Sequence, residues 1–450
     1  MGSREVGRKK ATRATQETDM VESGTVAQLG RSPVMFDPYL TSSHLFVTAV
    51  SDNLAASYER DVPRKQKMRA ADRETLKAVL RVIIANLAKA SFEGRDPPQI
   101  GVPLRAAKQP RTRYDRPGFN GLQKILENIT AMQVGFSLRK SNQKGIASAL
   151  IADPWFNETL ARFRFKAEHF ELADGRETIW LSRNERDYVA GTVERELINY
   201  SETLETTRLR AEMKTINDAL KAADACALAP EAGEKAPKVL TAFRELRRHF
   251  NSPDKTERFD LGGRLFGGWW ETLPRSQHHL IRIDNEPVAE LDFASMALRL
   301  AYLEAGKSPP DGDLYSGLPG LEAPRWRDGV KKVASSLLFR TTPMMRLPGD
   351  TKALLPPEAS ATSIRAALLQ AHPALAGIFE TGCGMSLMCR ESNILINALL
   401  RLIAQGGPTA LPLHDAILCP RSKAAIVEKA MGDAAEAVAG FRLPISLKSL

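Results

Sequence analysis

Apolar residues recur at three- and four-residue steps through much of the first half of the chain, a spacing that is typical of helices with one buried face. A basic turn at 140–145 separates two short apolar runs and predicts a β-hairpin. Two helices followed by such a hairpin favour a winged-helix-like α+β module over residues 66–185. The predicted helices of this half lie at 72–92, 119–132, 205–225 and 239–250.

Strand and helix patterns alternate in the last two hundred residues. A continuous apolar run at 287–293 predicts a buried strand, and a helix follows it at 294–305. Two short apolar runs flank His414 and Asp415 and predict a β-hairpin with a polar tip. This alternation indicates an α+β fold. The remaining predicted elements are helices at 325–340, 361–370, 390–404 and 421–438 and a final strand at 443–447.

The composition narrows the class of protein. The chain has 450 residues, of which 43% are apolar and 26% charged, as in an ordinary soluble globular protein. No uncharged apolar run reaches the ~20 residues that a membrane helix needs, so we expect no membrane partner. The four cysteines lack the spacing of a zinc site, and we expect free thiols in a cytoplasmic protein.

The formal net charge of +10 is concentrated in one segment. Residues 101–150 carry nine lysines and arginines against Asp115 and Glu127, which is a net charge of +7. Two interpretations stay open for this basic segment: a solvated face, or a surface that contacts nucleic-acid phosphates. In the second case the nucleic-acid-binding residues are Arg111, Arg113, Arg116, Arg139 and Lys140.

These changes along the chain predict four regions. Residues 1–65 begin with mixed charges and small polar side chains, which favours a disordered tail. Residues 66–185 form the nucleic-acid-binding module, and residues 186–255 form a charged, mostly helical region. Residues 256–450 contain the candidate chemistry.

Two aspartates and two cations are the most informative residues of the last region. Asp292 ends the predicted strand in AELDFASMALR, and Asp415 lies in the hairpin tip LPLHDAIL. Two carboxylates at the ends of adjacent strands can hold two Mg²⁺ ions about 3.5–4 Å apart, which activates a hydroxyl and neutralises a pyrophosphate leaving group. Arg327 and Lys331 lie four residues apart on one predicted helix, so they share a face and can bind a triphosphate.

Four segments of this region together resemble the palm and fingers of family A DNA polymerases and of the related single-subunit RNA polymerases of phages and mitochondria. They occur in the order in which the family has them, and they cover residues 260–450. Each motif is short, so the resemblance depends on the set. The four matches are DLGGRLFGGWWETLP (260–274) for the template–primer motif, DFASMALR (292–299) for motif A, the Arg-x-x-x-Lys spacing at 327–331 for motif B and Leu-His-Asp at 413–415 for motif C.

The resemblance implies a right-hand polymerase in which residues 256–450 form the palm and fingers and residues 186–255 form a helical thumb. Asp292, Asp415 and the backbone carbonyl of Phe293 would bind two catalytic Mg²⁺ or Mn²⁺ ions. Arg327 and Lys331 would bind the incoming triphosphate, and Lys331 would also protonate the pyrophosphate.

Further residues would contact the nucleic acid by the same resemblance. His414 would contact the primer-terminal phosphate, and Arg264 would contact the template–primer duplex. Asn393 or Asn397, on the helix before the hairpin, would line the minor groove.

Four positions depart from the family pattern. Ala297 stands where the DNA polymerases have a glutamate that excludes a ribose 2′-hydroxyl, and Phe339 stands where they have a tyrosine. Ala416 replaces the carboxylate that follows His-Asp, and Arg340 replaces a glycine. The small side chain at 297 and the missing hydroxyl at 339 predict weak sugar discrimination, so that NTPs bind in the substrate site alongside or instead of dNTPs.

The sequence therefore predicts a template-directed nucleotidyltransferase without proofreading, either a DNA polymerase or a primase- or RNA-polymerase-like enzyme. Its partners would be a DNA template–primer duplex, dNTPs or NTPs, and other replication proteins in a bacterial, plasmid or phage setting. Two alternatives stay open. One is a catalytically decayed, polymerase-like DNA-binding replication or regulatory factor; the other is an unrelated α+β protein with chance motif matches.

Overall fold

The chain forms two compact units, and it passes between them several times. The computed structural model describes residues 34–102, 104, 112–141, 147–187, 192–229, 238–254, 256–347, 349 and 351–448. The described residues of the first unit fall within 34–37, 46–107 and 120–164, and those of the second fall within 38–45, 108–119 and 165–448.

Most helices of the chain have one buried apolar face, as the three- and four-residue spacing predicts. In chain order the helices are α1 (Leu45–Asp61), α2 (Ala70–Phe92), α3 (Leu122–Ala131), α4 (Pro154–Arg162), α5 (Leu204–Ala222), α6 (Met296–Glu304), α7 (Arg327–Phe339), α8 (Ala361–Ala371), α9 (Gly384–Ala404) and α10 (Ala424–Ala439).

Within the described residues, the strands form four sheets. In chain order they are β1 (Val34–Met35), β2 (Leu40–Ser42), β3 (Gln99–Val102), β4 (Phe136–Arg139), β5 (Ser148–Ala152), β6 (Phe170–Leu172), β7 (Ile179–Asp187), β8 (Thr192–Leu197), β9 (Ala225–Ala227), β10 (Arg247–Asn251), β11 (Gly262–Phe266), β12 (Ile281–Ile283), β13 (Glu286–Phe293), β14 (Leu411–Leu413), β15 (Ala416–Pro420) and β16 (Ile445–Lys448).

The first unit contains a four-stranded sheet in the order β1-β3-β5-β4. Strands β4 and β5 are antiparallel, which confirms the predicted hairpin, although its tip at 142–146 lies outside the described residues. The hairpin is part of the larger sheet, because β5 also pairs with β3, the strand between α2 and α3. The winged-helix-like module stays a prediction.

Helix α1 differs from the prediction of a disordered tail up to residue 65. It buries Phe46, Val47, Leu54 and Tyr58. Val47 and Leu54 lie seven residues apart and Leu54 and Tyr58 four, so these side chains face the core together. Apolar burial of this kind outweighs the polar character of the segment as a whole. Residues 1–33 of the same predicted tail lie outside the described residues.

The region 186–255 is mixed in structure, whereas the sequence predicted a mostly helical thumb. Helix α5 matches the prediction for 205–225, but a strand, β10, stands where a helix at 239–250 was expected. Arg248 and Phe250 are buried and their neighbours are half-exposed, which is the two-residue alternation of a strand. The strand is stabilised by parallel pairing with β7 and antiparallel pairing with β11, two long-range contacts that a helical pattern does not encode.

The six-stranded sheet of the second unit, called the central sheet below, has β13 at its centre. Strand β15 pairs with one edge of β13, and β12 and β16 pair with the other edge. Six of the eight residues of β13 are buried, which explains why the sequence shows a continuous apolar run there. The predicted strands and helices of the last two hundred residues are confirmed, and α9 begins earlier than expected, at Gly384.

The architecture is therefore α+β with parallel and antiparallel strand pairs. Among the described helices, none combines the length and the apolar character that crossing a membrane requires. The ends of β13 and of the β14–β15 hairpin meet at one edge of the central sheet, and this edge borders the candidate site.

Candidate functional site

A cavity of about 800 Å³ in the second unit gathers most of the residues predicted from the last region. It lies at the ends of β13 and of the β14–β15 hairpin, with α7 and the start of α9 along its sides. Segments that are far apart in the sequence thus contribute to one pocket. The predicted residues that line it are Arg264, Asp292, Phe293, Ala297, Arg327, Lys331, Phe339, His414 and Asp415.

Strand pairing brings the two aspartates together. Asp292 lies opposite Ala416 in the antiparallel pair of β13 and β15, so Asp415 in the adjoining turn reaches the same end of the sheet. His414 takes the left-handed conformation in this turn, with φ of 59°. Burial and the negative charge of Asp415 raise the pKa of Asp292.

The donor set fits a hard divalent cation. Asp292 lines the cavity, and its Oδ1 is buried without a hydrogen-bond partner among the described residues, which leaves one carboxylate oxygen desolvated. The described residues contain no group of three His, Cys, Asp or Glu side chains placed to hold a metal. A Mg²⁺ ion between Asp292 and Asp415 would therefore need the Phe293 carbonyl, water or substrate phosphates as further ligands, which is the usual way in which proteins bind it.

Lys448 is a member of the site that the sequence analysis missed. It lies on β16 opposite Glu290, and its Nζ forms an ion pair with Asp292 Oδ2 and lies 3.3 Å from Glu290 Oε1. Burial works against the ammonium, but the two carboxylates raise the pKa of Lys448 overall. Only the pairing of β16 with β13 could have revealed this contact, because 156 positions of sequence separate Lys448 from Asp292.

Arg327 and Lys331 occupy one side of the cavity but differ in their surroundings. The guanidinium of Arg327 donates to Asp313 through Nε to Oδ2 at 2.5 Å and through Nη2 to Oδ1 at 3.1 Å. Lys331 is exposed and forms no ion pair within the described part of the chain. Lys331 is therefore available to an incoming anion, whereas Arg327 is already held.

Asp313 is a second residue of the site that the sequence analysis did not predict, and its carboxylate accepts several hydrogen bonds. It accepts from the hydroxyls of Ser295 at 3.0 Å and Ser316 at 2.6 Å in addition to Arg327. Burial opposes ionisation of this carboxyl, but these donors prevail and lower its pKa to about 2. Asp313 thus links the segment after β13 to the start of α7.

Arg264 also has an internal partner, a carboxylate not anticipated from the sequence. Its Nη2 and Nε donate to Glu391 Oε1 at 2.6 Å and 3.0 Å. Burial, and then the charges of Asp415 and Asp292, raise the pKa of Glu391 to about 7 in spite of this partner. Burial and the positive charge of Arg264 lower the pKa of His414, so the ring next to Asp415 tends towards the neutral form.

Ala297 and Phe339, the two positions linked to sugar discrimination, line the same cavity. The ring of Phe339 lies on the backbone of Gly384, where an added Cβ would come within 2.6 Å of the ring Cγ. Glycine at 384 thus allows the close approach of the ring.

Asn393 and Asn397 do not line the cavity. Asn393 Oδ1 accepts from Nη2 of the buried Arg248 at 2.5 Å, and Asn397 Oδ1 accepts from Arg401 Nε at 2.6 Å. Both side chains thus support arginines, and their predicted contact with the minor groove stays a prediction.

The basic segment is divided between the two units, because residues 108–119 belong to the second unit and 101–107 and 120–150 to the first. Arg113 is largely buried: it pairs with Glu177 and Glu202 and lies 3.5 Å from the centre of the Tyr200 ring. Its charge is thus partly satisfied within the second unit, and its role in binding nucleic acid stays a prediction.

The other four residues predicted to bind nucleic acid have different positions. Arg116 Nη1 donates to the carbonyl of Pro38 at 2.6 Å, and Lys140 pairs with Glu127 at 2.7 Å. Arg139 is exposed on the edge strand β4. Arg111 lies outside the described residues.

Comparison with known proteins identifies no relative of this chain: no protein-family model matches it, and no curated protein matches it either.

Proposed function

We propose that the second unit is a template-directed nucleotidyltransferase that extends a nucleic-acid strand with the help of two Mg²⁺ or Mn²⁺ ions. The observation that carries this proposal is the convergence of Asp292, Asp415, Arg327 and Lys331 on one cavity from three separate segments of sequence. Paired carboxylates opposite paired cations are the arrangement that transfer of a nucleotidyl group requires, because charge develops on both the attacking and the leaving oxygens.

Asp292, Asp415 and the Phe293 carbonyl would hold the metal ions. When bound, such ions make a primer hydroxyl more acidic and neutralise the charge of a triphosphate. Lys331 binds the triphosphate, and Arg327 contributes its positive charge while it stays paired with Asp313. The primer 3′-hydroxyl loses its proton to water, and its oxygen bonds to the α-phosphorus while the bond from that phosphorus to the α,β-bridging oxygen breaks. Lys331 gives a proton to the departing pyrophosphate and regains one from water.

The finer architecture belongs to the same proposal. The central sheet with β13 and the β14–β15 hairpin corresponds to a polymerase palm, α7 to the fingers and α5 to part of a thumb. The sheet of the first unit corresponds to a nucleic-acid-binding module. The order of the four sequence motifs supports this assignment.

The lining of the cavity supports the acceptance of ribonucleotides as substrates, alongside or instead of deoxyribonucleotides. Ala297 has no atom beyond Cβ, and the Phe339 ring has no hydroxyl with which to read the sugar. A primase-like or mixed primase–polymerase activity is consistent with such a pocket.

Primer extension tests the proposal. The full chain is assayed on primed and unprimed DNA templates, with dNTPs and NTPs separately, beside Asp292→Ala and Asp415→Ala. We expect each substitution to lower extension by about a thousandfold or more, because each removes a metal ligand. Binding of the template–primer duplex should change by less than about twofold, since its main contacts are to phosphates.

Asp433→Asn is the matched control. Asp433 is a carboxylate on α10 that pairs with Lys429 and Arg442, outside the cavity. This variant should extend primers like the wild type. Full activity of both Asp292→Ala and Asp415→Ala would refute the metal assignment and with it the proposed function.

The alternative of a decayed, DNA-binding factor gains support from one observation. Three charged groups of the cavity already have internal partners, because Asp292 pairs with Lys448, Arg327 with Asp313 and Arg264 with Glu391. Tight DNA binding by the wild type without extension under any nucleotide or metal condition would favour this function.

A further inference from the structure

The contact between Lys448 and Asp292 is unusual for a carboxylate that is proposed to bind a metal. Lys448 approaches from β16, on the edge of β13 opposite to the hairpin that carries Asp415. Its ammonium contacts Oδ2 of Asp292, while Oδ1 of the same carboxylate is buried and unpartnered. One oxygen of Asp292 is therefore shielded by a cation that belongs to the chain.

Glu290 gives the ammonium of Lys448 a second partner. Glu290 and Asp292 lie two residues apart on β13, so their side chains share a face. Glu290 Oε1 is 3.3 Å from Nζ, and the Glu290 side chain is only 6% exposed, whereas that of Lys448 is 30% exposed. A small movement of the long lysine side chain would exchange one carboxylate for the other without leaving the ammonium unpaired.

A divalent cation and an ammonium compete for one carboxylate. Both carry positive charge, and the partly buried setting screens their repulsion less than water would. A metal ion that uses both oxygens of Asp292, or that sits beside Oδ2, requires the ammonium to withdraw.

We propose that Lys448 is a positioning residue that acts as a tethered cation: it neutralises Asp292 before a metal ion binds and moves to Glu290 when the ion arrives. The proposal rests on the proposed function, because it presumes that Asp292 is a metal ligand. It adds that the affinity for the ion is set by displacement of Lys448 as well as by the carboxylates themselves.

Titration of the full chain with Mn²⁺ alone tests the role of Lys448, with free Mn²⁺ measured by electron paramagnetic resonance. Lys448→Met should tighten Mn²⁺ binding by about tenfold, because the competing charge is lost. Glu290→Gln should weaken it, since the ammonium loses its second partner. Lys429→Met, which removes an exposed lysine paired with Asp433 on α10, should leave the affinity unchanged.

A double variant locates the ion. Asp292→Asn in the Lys448→Met background should abolish the tightened binding. If Lys448→Met does not fold, as judged by circular dichroism, Lys448→Gln keeps a polar side chain of similar length and carries the same expectation. Unchanged or weaker Mn²⁺ affinity in the folded variant overturns the proposal.

The outcomes separate this proposal from the proposed function. Equal Mn²⁺ affinity of wild type and Lys448→Met, with binding lost in Asp292→Asn, refutes the tethered cation and keeps the metal site. Failure of every variant to bind Mn²⁺, even with a triphosphate present, refutes the metal site and the proposed function together.

Discussion

The basic segment and the cavity of the second unit differ in how their charges are arranged. Residues 101–150 carry a net charge of +7, whereas residues 251–450, which contain the residues that line the cavity, carry only +1. In the basic segment, Arg113 is neutralised by Glu177 and Glu202, and Lys140 pairs with Glu127. The difference teaches that a surplus of charge along the chain does not locate the cations that a ligand can reach.

The cavity lies in a region of the sequence whose net charge is nearly zero, yet it contains closely spaced charges of both signs. Asp292, Asp415 and Glu391 lie near Lys331, Arg264 and Lys448, and burial strengthens their interactions. The candidate chemistry thus depends on a few placed side chains rather than on bulk charge.

The largest effect is expected within the cavity, at Lys331. Lys331→Ala should lower the rate constant of nucleotide incorporation by about 10²–10⁴-fold, because it removes both a triphosphate contact and the proposed proton donor. Single-turnover primer extension measures this loss. Lys332→Ala, at the next position of α7 but not in the cavity, is the control and should retain activity. Equal losses in the two variants would contradict the specific role of Lys331.

Arg113 should affect folding and not binding. Arg113→Ala should lower the free energy of unfolding by about 1–3 kcal/mol, because it leaves the buried Glu177 with fewer donors. Urea unfolding measures this change. The salt dependence of DNA binding should be the same as in the wild type. A shallower dependence of the binding constant on salt would show that Arg113 contacts the nucleic acid.

Arg139→Ala provides the counterpart in the first unit, because Arg139 is exposed on the edge strand β4. We expect an unchanged free energy of unfolding and, if this strand contacts DNA, a salt slope that is shallower by about one. If Arg139→Ala lowers the free energy of unfolding and leaves DNA binding unchanged, then Arg139 has a structural role like that expected of Arg113.

Glu391 links stability to pH. Its pKa of about 7 in the folded chain lies above the ordinary value of 4.5, so the unfolded chain loses this proton first as pH rises. The group therefore lowers the free energy of unfolding progressively from about pH 4.5 to about pH 7. Measured without divalent ions, Glu391→Gln should gain stability relative to the wild type across this interval, by about 1–3 kcal/mol in total. A constant difference would mean that Arg264 keeps Glu391 ionised.

The smallest effect concerns the choice of sugar. The wild type should prefer dNTPs over NTPs by less than about 10³-fold, which corresponds to ~4 kcal/mol. Ala297→Glu should raise this preference by about tenfold, because a carboxylate beside Phe339 crowds a 2′-hydroxyl. Competition between matched dNTP and NTP measures the ratio, and Ala297→Ser controls for side-chain size.

The elements of the last two hundred residues could be predicted because local pattern and burial agree there. Strand β13 is buried over most of its length, so its apolar run is continuous, and helix α7 has its apolar residues on one face. The predicted helix at 239–250 failed because the apolar positions before β10 fit helical spacing, while the strand itself depends on pairing with β7 and β11. Arg248 and its partner Ile179 on β7 are 69 positions apart in the sequence.

The sequence by itself was sufficient to identify the two aspartates as candidate site residues. It also predicted the hairpin that carries Asp415 and the helix that carries Arg327 and Lys331. These are local features, because a strand end, a tight turn and a four-residue spacing each follow from neighbouring residues. Their order along the chain was sufficient to predict one shared site.

Only the tertiary structure decided which of the charges are paired. Lys448, Asp313 and Glu391 reach the cavity through strand pairing and helix packing, and none of them belongs to a predicted motif. The physical reason is that Coulomb energy and desolvation depend on distance and burial in space, and neither quantity is a function of separation along the chain.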